Sequence, residues 1–321
     1  MSLPGYRTIE TSRMRHRVLD EGSGPAVVLL HGFPEGAYSW RKQVPALAGA
    51  GFRAIAPDQR GYAGATVVTP VDGYDHIELA LDVIALLDSQ GIERAALVSH
   101  DWGAALAWNV ALLHPERISS VVALSVAYGG RPKGPPTAML QRIVGDAFFY
   151  MLYFQKPGVA EEELEADVRE SLRRFYYSAS GDGRDSALGT LHPNTAKLLD
   201  TLRAPAGLPA WLSAEDLDRY TEAFEASGFA GPIGWYRSMD RTWERTAHLA
   251  GVSVQQPALF IAGDRDPVVL FNQRAIDRMP SVVPNLAGTR LLPGVGHWTQ
   301  QERPEEVNAE LVAFLNRYAR G

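Results

Sequence analysis

The stretch LVSHDWGAA, residues 97–105, places a carboxylate at a turn that suits a nucleophile. A short apolar run precedes the turn, Ser99 and Gly103 lie on either side of Asp101, and an alanine-rich segment follows. This strand–turn–helix pattern is typical of a nucleophile elbow, where a strained backbone exposes one side chain above a sheet. A carboxylate there can attack a saturated carbon without first losing a proton. Asp101 is therefore the predicted nucleophile.

Two further residues complete a candidate triad with Asp101. Asp266 ends the motif GDRD after an apolar strand, and His297 lies in GVGHW after another strand. The order nucleophile, acid, histidine is that of an α/β-hydrolase. The histidine would activate water, and the acid would hold the histidine in the reactive tautomer. Asp264 of the same GDRD motif is the alternative acid, and Asp266 is preferred because it lies further along the loop.

A third motif, HGFPE at residues 31–35, follows a strand and supplies backbone donors. The N–H of Phe33, together with that of Trp102 after the nucleophile, can form an oxyanion hole. Each motif alone also fits a purely structural role as a helix cap, a strand-ending turn or a packed histidine. Their occurrence together in this order favours catalysis.

The elements around these motifs alternate between strand and helix. Strand-like runs occur at 6–12, 14–20, 26–30, 52–57, 95–99, 120–124, 258–262 and 289–292, with helical patterns at about 75–91, after Asp101 and at 304–318. Such alternation predicts a mostly parallel sheet flanked by helices on both faces. Residues from about 130 to 246 are rich in aromatic residues and helical patterns, without a clear strand. We therefore predict an α/β fold, with a hydrolase core of residues 1–129 and 247–321 and an inserted helical cap of residues 130–246.

Composition narrows the class of protein. The chain has 321 residues, 46% hydrophobic and 21% charged, which predicts a globular protein with a large core. A net charge of −6 argues against nucleic acid or an anionic membrane as partner. There are no cysteines, so disulfides and thiolate metal sites are excluded. No signal-peptide or membrane-spanning segment is recognisable, which favours a cytoplasmic protein, and a homodimer is compatible with the sequence.

No cofactor or metal site is predicted. His114, His192 and His248 lack ligand-like spacing with carboxylates. The GSG at residues 22–24 is followed by neither GxGxxG nor a phosphate-binding lysine.

The motifs HGFPE, SHDWG, YFQKPGVAEEEL, GPIGWYRSMDRTW and GHWTQQERPEEVN resemble those of the soluble epoxide hydrolases, over about residues 22–318. The resemblance implies two cap tyrosines that hold the epoxide oxygen, and these fall on Tyr153 of YFQ and Tyr236 of WYR. It implies hydrolysis of a small hydrophobic epoxide with water to a vicinal diol through a covalent aspartyl ester, without cofactor or metal, in detoxification. Ala63 stands where many relatives have glycine, away from the triad.

Two other functions use the same fold. A haloalkane or fluoroacetate dehalogenase shares the nucleophile, but HGFPE lacks the asparagine expected for halide binding, and Trp102 stands where the fluoroacetate enzymes have arginine. The two tyrosines favour an epoxide, because an alkoxide leaving group needs hydrogen-bond donors. A ligand-binding receptor stays open, because such a protein can keep an intact triad.

Overall fold

The computed structural model describes residues 5–67, 73–183 and 192–320. Its strands are β1 (Tyr6–Glu10), β2 (Arg15–Glu21), β3 (Ala26–Leu30), β4 (Arg53–Pro57), β5 (Ala95–His100), β6 (Ile118–Leu124), β7 (Ala147–Phe148), β8 (His192–Pro193), β9 (Ala258–Gly263) and β10 (Leu286–Leu292). Among these residues, eight strands form one sheet in the order β1-β2-β4-β3-β5-β6-β9-β10. The strands from β4 to β10 in this order pair in parallel, and β2 pairs antiparallel with both β1 and β4. The predicted fold class is thereby confirmed.

The helices cover both faces of this sheet. They are α1 (Gln43–Gly49), α2 (His76–Ser89), α3 (Trp102–Leu113), α4 (Pro136–Val144), α5 (Tyr150–Tyr153), α6 (Val159–Glu165), α7 (Val168–Ala179), α8 (Ala214–Ser227), α9 (Ala230–Arg237), α10 (Met239–Arg245), α11 (Pro267–Phe271), α12 (Gln273–Val282), α13 (Thr299–Glu302) and α14 (Pro304–Tyr318). None of the helices in the described ranges has the length and apolarity needed to cross a membrane.

The side chains of β3 show how the two layers form. Val28 and Leu30 pack into the core under α2 and α3, whereas Val27 and Leu29 pack into the core under α1 and α14. Successive side chains of a strand point to opposite faces, so a strand that is apolar at every position is buried on both sides. All five residues of β3 are buried. The sheet is therefore the middle layer of three.

Between β6 and β9 the chain forms α4 to α10. The expectation of a strand-free segment is wrong at one place, because β7 and β8 form a short antiparallel pair. Two residues on each side are too few to give an alternating pattern in the sequence. Phe33, from the loop after β3, packs edge-to-face against Phe154 and Phe229, with ring centroids 5.6 and 6.3 Å away. The helical segment thus lies over the carboxyl ends of the strands.

Candidate active site

Asp101 lies at the sharp turn between β5 and α3. Its backbone has φ 51° and ψ −121°, which is unusual for a residue with a side chain. A Cβ on Gly103 would lie 2.1 Å from the carbonyl oxygen of Leu30, so only glycine allows this approach. A Cβ on Gly32 would lie 2.4 Å from Oδ1 of Asp101. The two nearby glycines therefore make room for the carboxylate of Asp101 at the end of β5.

The structure brings Asp101, His297 and Asp266 together. Nε2 of His297 is 3.5 Å from Oδ2 of Asp101, and Nδ1 of His297 is 3.1 Å from Oδ1 of Asp266. Each residue follows a strand, as the sequence predicts: β5, β10 and β9. Asp264 is exposed, and its Oδ1 accepts a hydrogen bond from the N–H of Gly294 at 2.8 Å. Asp266, not Asp264, is the acid that faces the histidine.

The charges of this cluster depend on one another. Burial disfavours the carboxylate of Asp101, but the hydrogen bond and charge of His297 outweigh burial and lower the pKa of Asp101. Burial likewise disfavours the imidazolium of His297, but the charges of Asp266 and Asp101 raise its pKa well above the usual value. In the free protein, the two carboxylates therefore favour the protonated form of the imidazole.

Backbone N–H groups of the two residues predicted for the oxyanion hole lie next to Asp101. The N–H of Phe33 donates to Oδ1 of Asp101 at 2.9 Å. Trp102 is the first residue of α3, and N–H groups in the first turn of a helix have no partner within the helix. Both predicted residues are therefore adjacent to Asp101, and a negative oxygen on that carboxyl group would meet N–H donors.

Tyr236, one of the two predicted tyrosines, packs against the residues beside this turn. Its ring is buried and packs edge-to-face against Trp102, with centroids 4.8 Å apart, and against Phe33 at 5.4 Å. Burial raises the pKa of Tyr236 well above the usual value, and the charges of Tyr150 and Asp101 add to this rise. The phenol of Tyr236 is therefore held in its neutral form, within range of the charge of Asp101.

The structure contradicts the prediction for Tyr153. The hydroxyl of Tyr153 donates to Oε2 of Glu163 at 2.7 Å, and Glu163 belongs to α6. Tyr150 takes the predicted place: its ring centroid is 5.9 Å from that of Tyr236. Burial raises the pKa of Tyr150, and the charges of Asp101 and then Asp266 add to this rise. The two tyrosines of YMLYF lie at opposite ends of α5, and only the first faces Asp101.

His100 of SHDWG and Glu35 of HGFPE form a buried pair beside the triad. Nδ1 of His100 lies 2.7 Å from Oε2 of Glu35, and Nε2 of His100 lies 2.8 Å from the carbonyl oxygen of His297. Burial disfavours the carboxylate of Glu35, but the charge and hydrogen bond of His100 outweigh burial and lower its pKa. Gln300 and Gln301 donate to its other oxygen at 3.0 and 2.9 Å. The pair fixes the backbone of His297. Its signal in the sequence is that both residues belong to motifs already singled out, HGFPE and SHDWG.

A second carboxylate holds the loop that carries His297. Glu302 accepts hydrogen bonds from the N–H groups of Gly296 at 3.0 Å, Trp298 at 3.1 Å and Gly181 at 2.9 Å. The N–H of His297 donates to the carbonyl oxygen of Ala179 at 2.8 Å. The histidine loop is therefore tied to the end of α7 in the helical segment.

Ser125, which no motif predicts, completes the contacts of the triad. Its hydroxyl donates to Oδ2 of Asp266 at 2.5 Å and lies 2.9 Å from Nδ1 of His297. Its φ is 72°. The sequence offers no signal for this residue except that it follows a strand.

Comparisons with known proteins agree with this geometry. A family model described as the alpha/beta hydrolase fold matches residues 25–304. The chain is 46% identical to Epoxide hydrolase A of Mycobacterium tuberculosis, over 98% of both chains, and 40% identical to Epoxide hydrolase B of the same species, over 94% of both. The crystal structure of Epoxide Hydrolase A from Mycobacterium thermoresistibile superposes with a TM-score of 0.94, at 47% identity over 98% of this chain and 99% of the other. The chain therefore belongs to the epoxide hydrolases of the α/β-hydrolase fold.

Proposed function

We propose that this protein hydrolyses an epoxide to a vicinal diol through a covalent ester on Asp101. The observation that carries this proposal is a carboxylate at the elbow with His297 on one side and two tyrosines, Tyr150 and Tyr236, above it. The names of the relatives support the same reaction. Water is the only co-substrate, and no cofactor takes part.

In the first step, Oδ2 of Asp101 attacks one carbon of the epoxide. The carbon–oxygen bond of the ring breaks, and its electron pair moves to the epoxide oxygen, which takes a proton from a tyrosine hydroxyl. An alkoxide is a poor leaving group, so donation by Tyr150 and Tyr236 in a buried site lowers the barrier. Phe33 meanwhile holds Oδ1, so the attacking oxygen is Oδ2, which faces His297 at 3.5 Å.

In the second step, His297 removes a proton from water, and the water oxygen attacks the ester carbon of Asp101. Ester formation has removed one of the two negative charges that raise the pKa of His297, so the imidazolium can now give its proton, through solvent, to the tyrosinate left by the first step. The neutral imidazole then acts as the base. The negative oxygen that forms is Oδ1, beside the N–H groups of Phe33 and Trp102. On collapse, the bond between the carbonyl carbon and Oδ2 breaks, and the leaving alkoxide takes the proton of the added hydroxyl. The diol therefore leaves with the original Oδ2, and the water oxygen stays on Asp101.

We further propose residues 130–246 as the cap, with residues 1–129 and 247–321 as the core. Tyr150 and Tyr236 both belong to that segment, whereas Asp101 and His297 belong to the core. The leaving-group donors and the nucleophile would then come from different parts of the chain, and the reaction would take place between them.

A single turnover in heavy-oxygen water tests the covalent ester. Excess enzyme reacts with styrene oxide, and mass spectrometry follows the peptide that contains Asp101 and the released diol. We expect the heavy oxygen in Asp101 and not in the diol, because the diol takes its new oxygen from the carboxylate. Heavy oxygen found only in the diol would mean direct attack by water. Release of chloride from a chloroalkane without any epoxide turnover would favour a dehalogenase instead.

A further inference from the structure

Ser125 combines strain, burial and contact with the triad. It is 1% exposed, follows β6 and has φ 72°, in the left-handed region that disfavours residues with a Cβ. Its own N–H donates to the carbonyl oxygen of Ile261 on β9 at 2.9 Å, which fixes the backbone. A non-glycine residue held in this conformation points to a role for its side chain.

The carboxylate of Asp266 is held from both sides. Oδ2 accepts the hydroxyl of Ser125 at 2.5 Å, and Oδ1 accepts the N–H of Val268 at 2.8 Å. Nδ1 of His297 lies 3.1 and 3.2 Å from these two oxygens, so the imidazole proton is shared between them. Ser125 is the one side chain whose hydroxyl touches both members of this pair within the described residues.

We infer that Ser125 is a positioning residue, whose hydroxyl orients the carboxylate of Asp266 and weakens its hold on the proton of His297. This inference rests on the proposed function, in which His297 must lose its proton before water attacks. A hydrogen bond donated to a carboxylate stabilises its negative charge and reduces its attraction for a neighbouring cation. Once Asp101 is esterified, Asp266 is the carboxylate that still contacts the imidazole. The hydroxyl of Ser125 then weakens the effect of the charge of Asp266 on the pKa of His297.

Loss of the Ser125 hydroxyl should shift the pKa of His297 in a defined direction. The proton on Nδ1 then loses the Ser125 oxygen, 2.9 Å away, as a competing acceptor and bonds to Asp266 alone, and the full charge of that carboxylate acts on the imidazole. Both changes favour the imidazolium form. A hydrogen bond to a charged group corresponds to about one pKa unit, so the pKa of His297 should rise by about that amount.

Other ionisable groups also lie around His297, and each of them keeps its own side chain when Ser125 is replaced. They are Asp101 and His100 at the end of β5, Asp266 after β9, Glu302 on α13, Tyr150 on α5 and Glu35 in the loop after β3. A difference in titration between variant and wild type therefore reports on the hydroxyl of Ser125.

The first test measures the imidazole without substrate. Histidine labelled with nitrogen-15 is titrated by NMR in the full-length wild type, Ser125→Ala and Ser125→Gly, with His297→Gln to assign the signal. We expect the pKa of His297 to rise by about one unit in both variants. Ser125→Gly should also melt at a higher temperature than Ser125→Ala, because glycine adopts φ 72° without strain. An unchanged pKa in both variants would overturn the inference.

The second test follows the two steps of the reaction with styrene oxide by stopped flow. In Ser125→Ala, the acid limb of ester hydrolysis should move to higher pH by the same amount, whereas alkylation stays within a few-fold of wild type. The control is Ser120→Ala: Ser120 is buried on the same strand, and its hydroxyl has no partner among the described residues. An equal shift in Ser120→Ala, or slowed alkylation without a shift in Ser125→Ala, would contradict the inference. If the wild type forms no diol, the proposed function fails while the NMR result still stands.

Discussion

Tyr150 lies with its ring centroid 5.9 Å from that of Tyr236, whereas the hydroxyl of Tyr153, one turn further along α5, donates to Glu163. The charge of Asp101 acts on Tyr150 and Tyr236. For Tyr153, burial and the neighbouring carboxylate of Glu163 raise the pKa instead. Two tyrosines three residues apart thus serve different purposes: one faces the nucleophile, and the other joins α5 to α6.

The first prediction compares these two tyrosines. Tyr150→Phe combined with Tyr236→Phe should lower the rate of alkylation by a factor on the order of 10² or more, because both donors to the epoxide oxygen are lost. Tyr153→Phe combined with Tyr236→Phe should behave like Tyr236→Phe alone. Stopped-flow alkylation with styrene oxide measures both pairs. Equal rates for the two double variants would remove Tyr150 from the mechanism.

The second prediction concerns His297. His297→Gln keeps Asp101 and the tyrosines, so alkylation should proceed while hydrolysis of the ester falls by a factor on the order of 10³ or more. The alkylated protein should accumulate, and intact-mass spectrometry after mixing with styrene oxide should detect the added mass. Asp101→Asn is the control, since it lacks the nucleophile and should gain no mass. Diol release by His297→Gln at a rate near wild type would contradict the role of His297.

The third prediction concerns Gly32. A Cβ there would lie 2.4 Å from Oδ1 of Asp101, so Gly32→Ala must displace the carboxylate from the N–H of Phe33. A displacement of about 1 Å can slow a reaction by about 10²-fold, and we expect alkylation to fall by that order. Gly49→Ala is the matched control, because no atom lies within 4 Å of a Cβ at that position. Similar kinetics in the two variants would show that the carboxylate tolerates the extra methyl group.

The sequence predicts much of the fold because apolar runs in a central parallel sheet are continuous. The strand Ala26–Leu30 and the helix Pro304–Tyr318 agree with the prediction at both ends. The strand–turn–helix pattern around Asp101 likewise needs only local residues and glycines. These features are local, so periodicity and turn residues are enough to predict them.

Contacts between distant segments are what the sequence does not predict. Tyr150 and Tyr153 are both tyrosines of one short helix, and the choice between them depends on Glu163, which lies on the next helix. Ser125 touches Asp266 and His297 only because β6 and β9 are neighbours in the sheet. Neither relationship leaves a periodic pattern in the chain.

The fourth prediction concerns stability at acid pH and His76. This residue is 5% exposed and packs edge-to-face on Trp102, and burial lowers its pKa from 6.5 to about 4. A neutral histidine in the folded state stabilises the protein fully above pH 6.5, and this stabilisation is lost as the pH falls toward 4. The loss corresponds to about 3 kcal/mol of unfolding free energy.

His76→Phe, measured by urea unfolding from pH 7 to pH 4, should therefore lose less stability than wild type by about that amount. His248→Gln replaces an exposed histidine and should follow the wild-type curve. Parallel curves for wild type and His76→Phe would mean that the folded protein accommodates the charge of His76.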